Sequence, residues 1–116
     1  MSIASKQVES SQPRGPIQKE VQVINDRLEK LLTELSKNKD YPSLQDEMDT
    51  CAKSIIKITD THYEKLGQFT THLKNAIVDL TEVPFMHPQM QKIAFEVALQ
   101  AAIKNLETFL NKAKDI

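Results

Sequence analysis

The sequence predicts an all-α protein, and three observations support this. Only two glycines, Gly15 and Gly67, occur among 116 residues, far below the usual share of about 7%. Apolar residues recur at intervals of three and four along most of the chain, which is the spacing of one helix face. The β-branched residues show no sustained alternation of the kind that strands require. With so few sites for tight hairpin turns, helices are the remaining choice.

The chain divides into a leader and one domain. Residues 1–15 are rich in Ser and Gln, contain Pro13 and little apolar material, and are predicted to be disordered. Residues 16–116 are long enough for one helical-bundle domain and contain the apolar residues for its core.

The first helix is predicted over residues 16–37. Pro16 suits the first turn of a helix, where a missing N–H costs nothing. The apolar seam that follows has steps of 4, 3, 4, 3 and 4 residues and consists of Ile17, Val21, Ile24, Leu28, Leu31 and Leu35. This uninterrupted heptad spacing is typical of helices that pack as in a coiled coil. A polar segment ending in Pro42 then predicts a turn.

The second segment, residues 43–82, leaves two alternatives. Its apolar seam continues with one extra step of four at His62, which a continuous helix can accommodate as a stutter. One rod of about 60 Å would result, and the protein would be an elongated antiparallel bundle of three long helices. The alternative is a turn near Thr59 and Asp60, which gives a four-helix up-and-down bundle. We favour the continuous helix because neither Gly nor Pro marks that turn.

The last helix is predicted to begin at Pro88 or Gln89 and to run to about Lys114. Pro84 and Pro88 end the preceding segment, because two prolines four apart cannot lie inside a helix. Between Ile93 and Ile103 only two residues are polar. A helix that is apolar around most of its circumference needs cover on several sides, and a second chain could supply part of it.

Charge and composition argue against several classes of protein. The net charge is −1 and the lysines are evenly spread, so no basic stripe for nucleic acid is present. No window approaches the roughly 18 apolar residues of a transmembrane segment, and the N-terminus lacks the apolar region of a secretory signal. The single cysteine, Cys51, permits no internal disulfide. We therefore expect a soluble cytoplasmic protein.

The sequence predicts no catalytic residue, no cofactor and no metal site. His62 and His72 lie ten residues apart, about 80° around a helix, and cannot bind one metal from one face. His62 occupies a seam position, typical of a half-buried histidine. Cys51 also lies on the seam and is expected to be a buried small hydrophobe. We therefore expect that the protein is not an enzyme, and we do not expect it to bind a small-molecule ligand.

One short motif resembles a known family. The residues His72-Leu73-Lys74-Asn75-Ala76 faintly resemble the histidine-phosphotransfer domains, which are helical bundles of about this size and usually carry His-x-x-Lys-Gly. The resemblance would imply phosphotransfer through His72. In this sequence Lys74 comes one residue early, which turns it by 100° on a helix, so phosphotransfer is kept only as a third alternative.

The connection before the last helix is unusually apolar. Connecting loops are normally polar, and methionines suit adaptable contact surfaces. The sequence therefore predicts either a plug for the end of the bundle or a partner-binding patch. The patch comprises Val83, Phe85, Met86, Met90, Ile93 and Val97. The leading functional prediction is a protein–protein interaction module, an adaptor or small subunit of an intracellular assembly, whose partner is an amphipathic helix or a second copy. The alternative is a bundle that carries a lipid or another apolar ligand, in a pocket that Phe69, Phe95 and Leu99 would line.

Overall fold

The computed structural model of the chain describes residues 15–37, 41–82 and 91–114. Within these ranges the regular structure is helical throughout, so the all-α fold class is confirmed. The helices are α1 (Pro16–Leu35), α2 (Tyr41–Thr61), the single turn α3 (Tyr63–Leu66), α4 (Thr70–Thr81) and α5 (Gln91–Lys112), with a 3₁₀ turn over Gly67–Phe69 between α3 and α4.

The start of α1 agrees with the sequence prediction. Gly15 precedes the helix in an extended conformation and Pro16 occupies its first turn. The N–H of Lys19 donates a hydrogen bond of 3.1 Å to the carbonyl of Gly15. The helix ends at Leu35, two residues earlier than predicted. All six predicted seam residues of this helix are buried, so the face was correctly assigned.

The four longer helices of the described residues pack in a ring. Helix α1 lies against α2 and α5, and α4 lies against the same two helices from the other side. Tyr41 meets Phe95 edge to face at 5.4 Å between ring centroids, which places the starts of α2 and α5 at one end. Phe69 meets Phe109 in the same manner at 6.4 Å, so α4 begins beside the end of α5. Helices α4 and α5 therefore run in opposite directions.

The preferred prediction of one helix over residues 43–82 is wrong. The hydrogen bonds continue past the extra step at His62, since its N–H donates to the carbonyl of Ile58 and the N–H of Leu66 donates to the carbonyl of His62, both at 3.0 Å. Helix α2 nevertheless ends at Thr61, because His62 leaves the helical conformation with a φ of −115° and a ψ of 28°. The following turn α3 ends at Gly67, whose φ of 50° and ψ of −125° are rarely accessible to residues with a side chain. The chain then turns, and α4 packs against α2.

The alternative prediction of a turn near Thr59 and Asp60 lies close to the end of α2 at Thr61, but the next long helix begins only at Thr70. Thr59 and Asp60 are helical, and Thr59 is buried with its hydroxyl donating to the carbonyl of Ile55 at 2.8 Å. The number of longer helices agrees with the four-helix alternative. Elongation is not confirmed, because the Cα trace extends 45 and 37 Å along its two longest axes and 17 Å along the third.

Helix α5 has one packed face and one open face. Phe95, Leu99, Leu106 and Phe109 are at most 1% exposed and contribute to the core. The helix runs to Lys112 and closes with a hydrogen bond of 2.8 Å from the N–H of Ala113 to the carbonyl of Phe109. The predicted starts at residues 88 and 89 lie outside the described residues. Packing between α1 and α4 therefore buries most, but not all, of the apolar residues of α5.

Candidate interaction surfaces

The predicted partner-binding patch is only partly within the described residues. Outside them lie Val83, Phe85, Met86 and Met90. The two alternatives for that connection, a plug for the end of the bundle and a partner-binding patch, therefore stay predictions. Ile93 and Val97 are described, and they are 56% and 58% exposed. The described part of the patch therefore consists of two residues of α5.

These two side chains lie in adjacent turns on the outward side of α5. Lys92 and Glu96 are exposed and precede them by one residue each, so both charges lie on the same flank of the apolar pair. Gln100, one turn further along, is also exposed. We call Lys92, Ile93, Glu96, Val97 and Gln100 the α5 outer face. It presents a small apolar centre with a charged flank and a polar end.

The α5 outer face makes no contribution to the protein's own core. On the same turns of the helix, Phe95 and Leu99 point inward and are at most 1% exposed. The side chain of Val is stiff because it branches at Cβ, and the same holds for Ile. Binding a partner through Ile93 and Val97 would therefore immobilise little side-chain freedom.

Exposed large apolar side chains occur on other helices as well, but they are isolated. Within the described residues, Val23 of α1, Ile56 of α2, Tyr63 of α3 and Val78 of α4 are each at least 40% exposed. Single apolar side chains on a surface are common and need no functional explanation. Among the described helices, α5 differs because it exposes two such residues, Ile93 and Val97, one turn apart.

A second surface feature, which the sequence analysis missed, is a groove of about 430 Å³ between α1 and α2. Its floor contains Ile24 and Ile58, which are at most 4% exposed, and Val23 lies at its edge and is 58% exposed. The remaining lining residues are Glu20, Arg27, Ser54, Lys57, Thr61 and His62. Val23 was the available signal, since it is an apolar residue outside the seam of the first helix.

The charges at this groove are mixed in sign. The Nη2 of Arg27 donates to the Oε1 of Glu47 at 3.0 Å, and both side chains are about half exposed. Cys51 does not line the groove and lies in the core. Burial raises the pKa of its thiol, which the charge of Arg27 opposes and that of Glu47 reinforces. A thiol with a raised pKa is a poor nucleophile. Within the described residues, the ring of His62 has no hydrogen bond to a hydroxyl or a carboxylate.

The two described histidines lie in different helical segments of the chain. His62 is half-buried at the junction between α2 and α3, and His72 is half-buried on α4. Across the described ranges, no group of three His, Cys, Asp or Glu residues is placed to hold a metal ion. Lys74 lies on the same helix as His72 and is exposed. A two-residue offset puts these side chains about 200° apart around α4, so Lys74 does not lie beside the imidazole.

The residues predicted to line a carrier pocket belong to the packed core or its edge. Phe95 and Leu99 are at most 1% exposed, and Phe69 is half-buried and packs against the core. The ring of Phe95 packs edge to face against Tyr41, and the ring of Phe69 packs edge to face against Phe109. This arrangement lends the carrier alternative no support.

Helices α4 and α5 share a polar contact that the sequence did not reveal. The amide Nδ2 of Asn105 donates to the Oδ2 of Asp79 at 2.8 Å, and the contact is partly buried. Burial raises the pKa of the Asp79 carboxyl; the hydrogen bond from Asn105 opposes this and the charge of Glu82 adds to it. The contact joins two helices and lies away from the α5 outer face, which indicates a structural role.

Comparisons with known proteins add no assignment. No family model matches the chain, and neither the search of curated proteins nor the search of solved structures found a match. In the described parts of the chain, none of the helices combines the length and apolar character needed to cross a bilayer.

Proposed function

We propose that the protein is a non-enzymatic helical protein–protein interaction module, an adaptor or small subunit of an intracellular assembly. Its domain is an up-and-down four-helix bundle that binds through the α5 outer face. The observation that carries this proposal is the exposure of Ile93 and Val97, at 56% and 58%, on a helix whose inner face is fully packed.

The physical reason is the free energy of the exposed apolar surface. Burying apolar surface stabilises a complex by about 25 cal/mol per Å². Two neighbouring apolar side chains on one helix face present more of this surface than any of the isolated residues on α1, α2 or α4. The adjoining sequence, Val83-Pro84-Phe85-Met86, is apolar as well. An amphipathic helix or a second copy of the chain is the kind of partner that fits such a face.

Two observations support the non-enzymatic part of this proposal. The nucleophilic side chain in the core, Cys51, is fully buried with a raised pKa. The groove between α1 and α2 is lined by charges of both signs, with Arg27 already paired to Glu47. Neither arrangement activates a group for catalysis. Lipid carriage and phosphotransfer through His72 stay predictions that no contact of the described residues favours.

Site-specific photo-crosslinking tests the proposal. A benzophenone amino acid at position 97, in cells that naturally make the protein, is expected to give a defined protein adduct. The same probe at Val78, which is 46% exposed on α4, is the matched control and is expected to give none. Ile93→Lys in the position-97 probe protein should abolish the adduct, because it places a charge within the apolar centre. Equal adducts from positions 97 and 78, or none from position 97, would contradict the proposal.

A further inference from the structure

We propose that Gly67 is the hinge of a domain-swapped dimer, in which residues 41–81 straighten into one helix and the α4–α5 pair of each copy packs on the α1–α2 pair of the other. Domain swapping exchanges identical elements between copies and keeps the packing of each unit. This dimer does not involve the α5 outer face, so it is independent of the proposed function. Three features of the segment between α2 and α4 support it.

The first feature is that the buried faces of α2 and α4 share one register along a straight helix. Leu44 and Leu80 are both buried and are 36 positions apart, which is ten turns of an α-helix at 3.6 residues per turn. Leu66 and Leu73 lie between them, are 0% exposed, and fall within about 40° of the same direction. Residues 43–82 contain no proline. One continuous helix therefore keeps a single apolar face, with its α2 half packed in one bundle and its α4 half in the other.

The second feature is that the bend depends on one unusual backbone conformation. Gly67 has a φ of 50° and a ψ of −125°, which residues with a side chain rarely adopt. His62 also departs from helical dihedral angles, but its N–H and carbonyl keep their hydrogen bonds to Ile58 and Leu66. Straightening the chain therefore requires a large change mainly at Gly67.

The third feature is a buried hydroxyl that lacks a partner in the bent form. Thr70 is 7% exposed, and among the described residues its Oγ1 has no hydrogen-bond partner. The hydroxyls of Thr50, Thr59 and Thr81 each donate to the carbonyl four positions earlier in their helices. For Thr70 that carbonyl belongs to Leu66, which lies before the bend. A continuous helix brings the two groups together and removes the cost of a buried group without a hydrogen bond.

Exchange preserves the core that the monomer already has. Helix α2 packs against α4, and α1 packs against α5; in the dimer, the same contacts form between two copies. The ring contact of Tyr41 with Phe95 becomes intermolecular, whereas the hydrogen bond of Asn105 to Asp79 stays within one chain. The balance between monomer and dimer therefore depends on the turn at Gly67 and on protein concentration. Short, strained hinge segments favour exchange.

Sedimentation equilibrium tests the hinge, on proteins refolded from urea at high concentration so that monomer and dimer equilibrate. Gly67→Ala is expected to raise the association constant of the dimer at least about tenfold, because alanine strains the bend and favours the straight helix. Gln68→Ala, at the exposed neighbouring residue, is the matched control and should stay within about threefold of the parent value. Unchanged helicity by circular dichroism shows that each variant folds.

A lengthened hinge gives the opposite result. Three glycines inserted after Gly67 let the chain reverse without strain and weaken the straight helix, so this variant should remain monomeric. Gly67→Ala that is no more dimeric than Gln68→Ala would overturn the proposal. So would an insertion variant that dimerises as strongly as Gly67→Ala.

A distance within one chain separates exchange from any other dimer. Spin labels at Lys53→Cys and Thr81→Cys, in a Cys51→Ala background, occupy exposed positions fourteen residues on either side of Gly67. In the monomer α4 folds back against α2, so the labels lie close together, whereas a straight helix separates them by about 42 Å. Labelled Gly67→Ala protein, refolded with an excess of the unlabelled form, should show the long distance by electron paramagnetic resonance in its dimer fraction. A dimer that keeps the short distance contradicts exchange.

Ile93→Lys distinguishes this dimer from a contact through the α5 outer face. Ile93 is 56% exposed and far from the hinge in sequence, so adding this substitution to Gly67→Ala should change the association constant by less than about twofold. Loss of the dimer would assign it to the α5 outer face and overturn the hinge. Photo-crosslinking at position 97 tests the proposed function separately, and its failure would leave the Gly67 result standing.

Discussion

The α1–α2 hairpin and the α4–α5 pair share one core but are built differently. In the hairpin, two helices of 20 and 21 residues follow an uninterrupted apolar seam, and Arg27 bonds to Glu47 across their exposed edge. In the second pair, a 12-residue helix packs beside one of 22 residues. The shorter helix follows an irregular turn at Gly67 and contacts its neighbour through the half-buried hydrogen bond between Asp79 and Asn105. The longer helix keeps Ile93 and Val97 exposed.

The difference shows what apolar spacing determines and what it leaves open. In both pairs the seam decides which face is buried, and Leu28 and Leu73 are each 0% exposed. In the second pair, however, the direction of the chain depends on one backbone conformation at Gly67. The same spacing of apolar residues is compatible with a straight rod and with two packed helices. Local backbone geometry therefore decides between two folds that the apolar pattern treats alike.

The largest expected effect tests whether the two pairs form one core. Leu28→Ala in the hairpin and Leu73→Ala in α4 each remove a fully buried side chain and should lower the free energy of unfolding by about 2–5 kcal/mol. Urea denaturation followed by circular dichroism measures both. Val23→Ala, at a residue 58% exposed, is the control and should stay within about 0.5 kcal/mol. Two separate unfolding transitions would show that the pairs are independent.

The next effect concerns the turn between them. Gly67 has a φ of +50°, and a Cβ added there would meet no atom within 4 Å. Gly67→Ala therefore strains the backbone without a steric clash and should lower the free energy of unfolding by about 1–3 kcal/mol. Gln68→Ala, at the exposed neighbouring residue, controls for the loss of a side chain in the turn. Equal stability of the Gly67 variant and the parent in thermal denaturation would contradict this account of the turn.

Much of the fold was predictable from the sequence because burial follows periodicity. All six seam residues of the first segment are buried, as is Cys51 of the second, whose seam position His62 is half-buried. The turn was not predictable from the same pattern, since the register at Leu66 and Leu73 survives it. Gly67 carried the missing signal, five residues after the stutter that drew attention to His62. At the candidate site, Ile93 and Val97 were identified from composition, but only packing could show which apolar residues of α5 stay exposed.

A smaller effect, on how the free energy of unfolding depends on pH, concerns the polar contact between α4 and α5. Because the pKa of Asp79 is raised in the folded protein, its protonated form is favoured there, and its contribution to stability is lost as pH rises from the ordinary aspartate pKa of about 3.9 through the raised value. Asp79→Asn should remove this part of the pH dependence, so the variant gains stability relative to the parent as the pH rises above about 3.9. Urea midpoints across that range measure it.

Asp60→Asn is the matched control for the pH measurement, because it removes one carboxylate from an exposed position on α2. It should leave the pH profile of the parent essentially unchanged in shape. If the two variants shift the profile equally, the effect belongs to net charge and the partly buried contact with Asn105 has no role in it.

The smallest expected effect lies on the hairpin. Arg27 and Glu47 bridge α1 and α2 at 3.0 Å, but their side chains are 45% and 51% exposed, and ion pairs in contact with water contribute about 0–1 kcal/mol. A double-mutant cycle with Arg27→Gln and Glu47→Gln should give a coupling energy below about 1 kcal/mol that decreases in 0.5 M salt. A larger, salt-independent coupling would mean that the hairpin depends on a specific polar contact, as the α4–α5 pair does. It would then no longer hold that apolar spacing determines the structure of the α1–α2 hairpin while local contacts determine that of the α4–α5 pair.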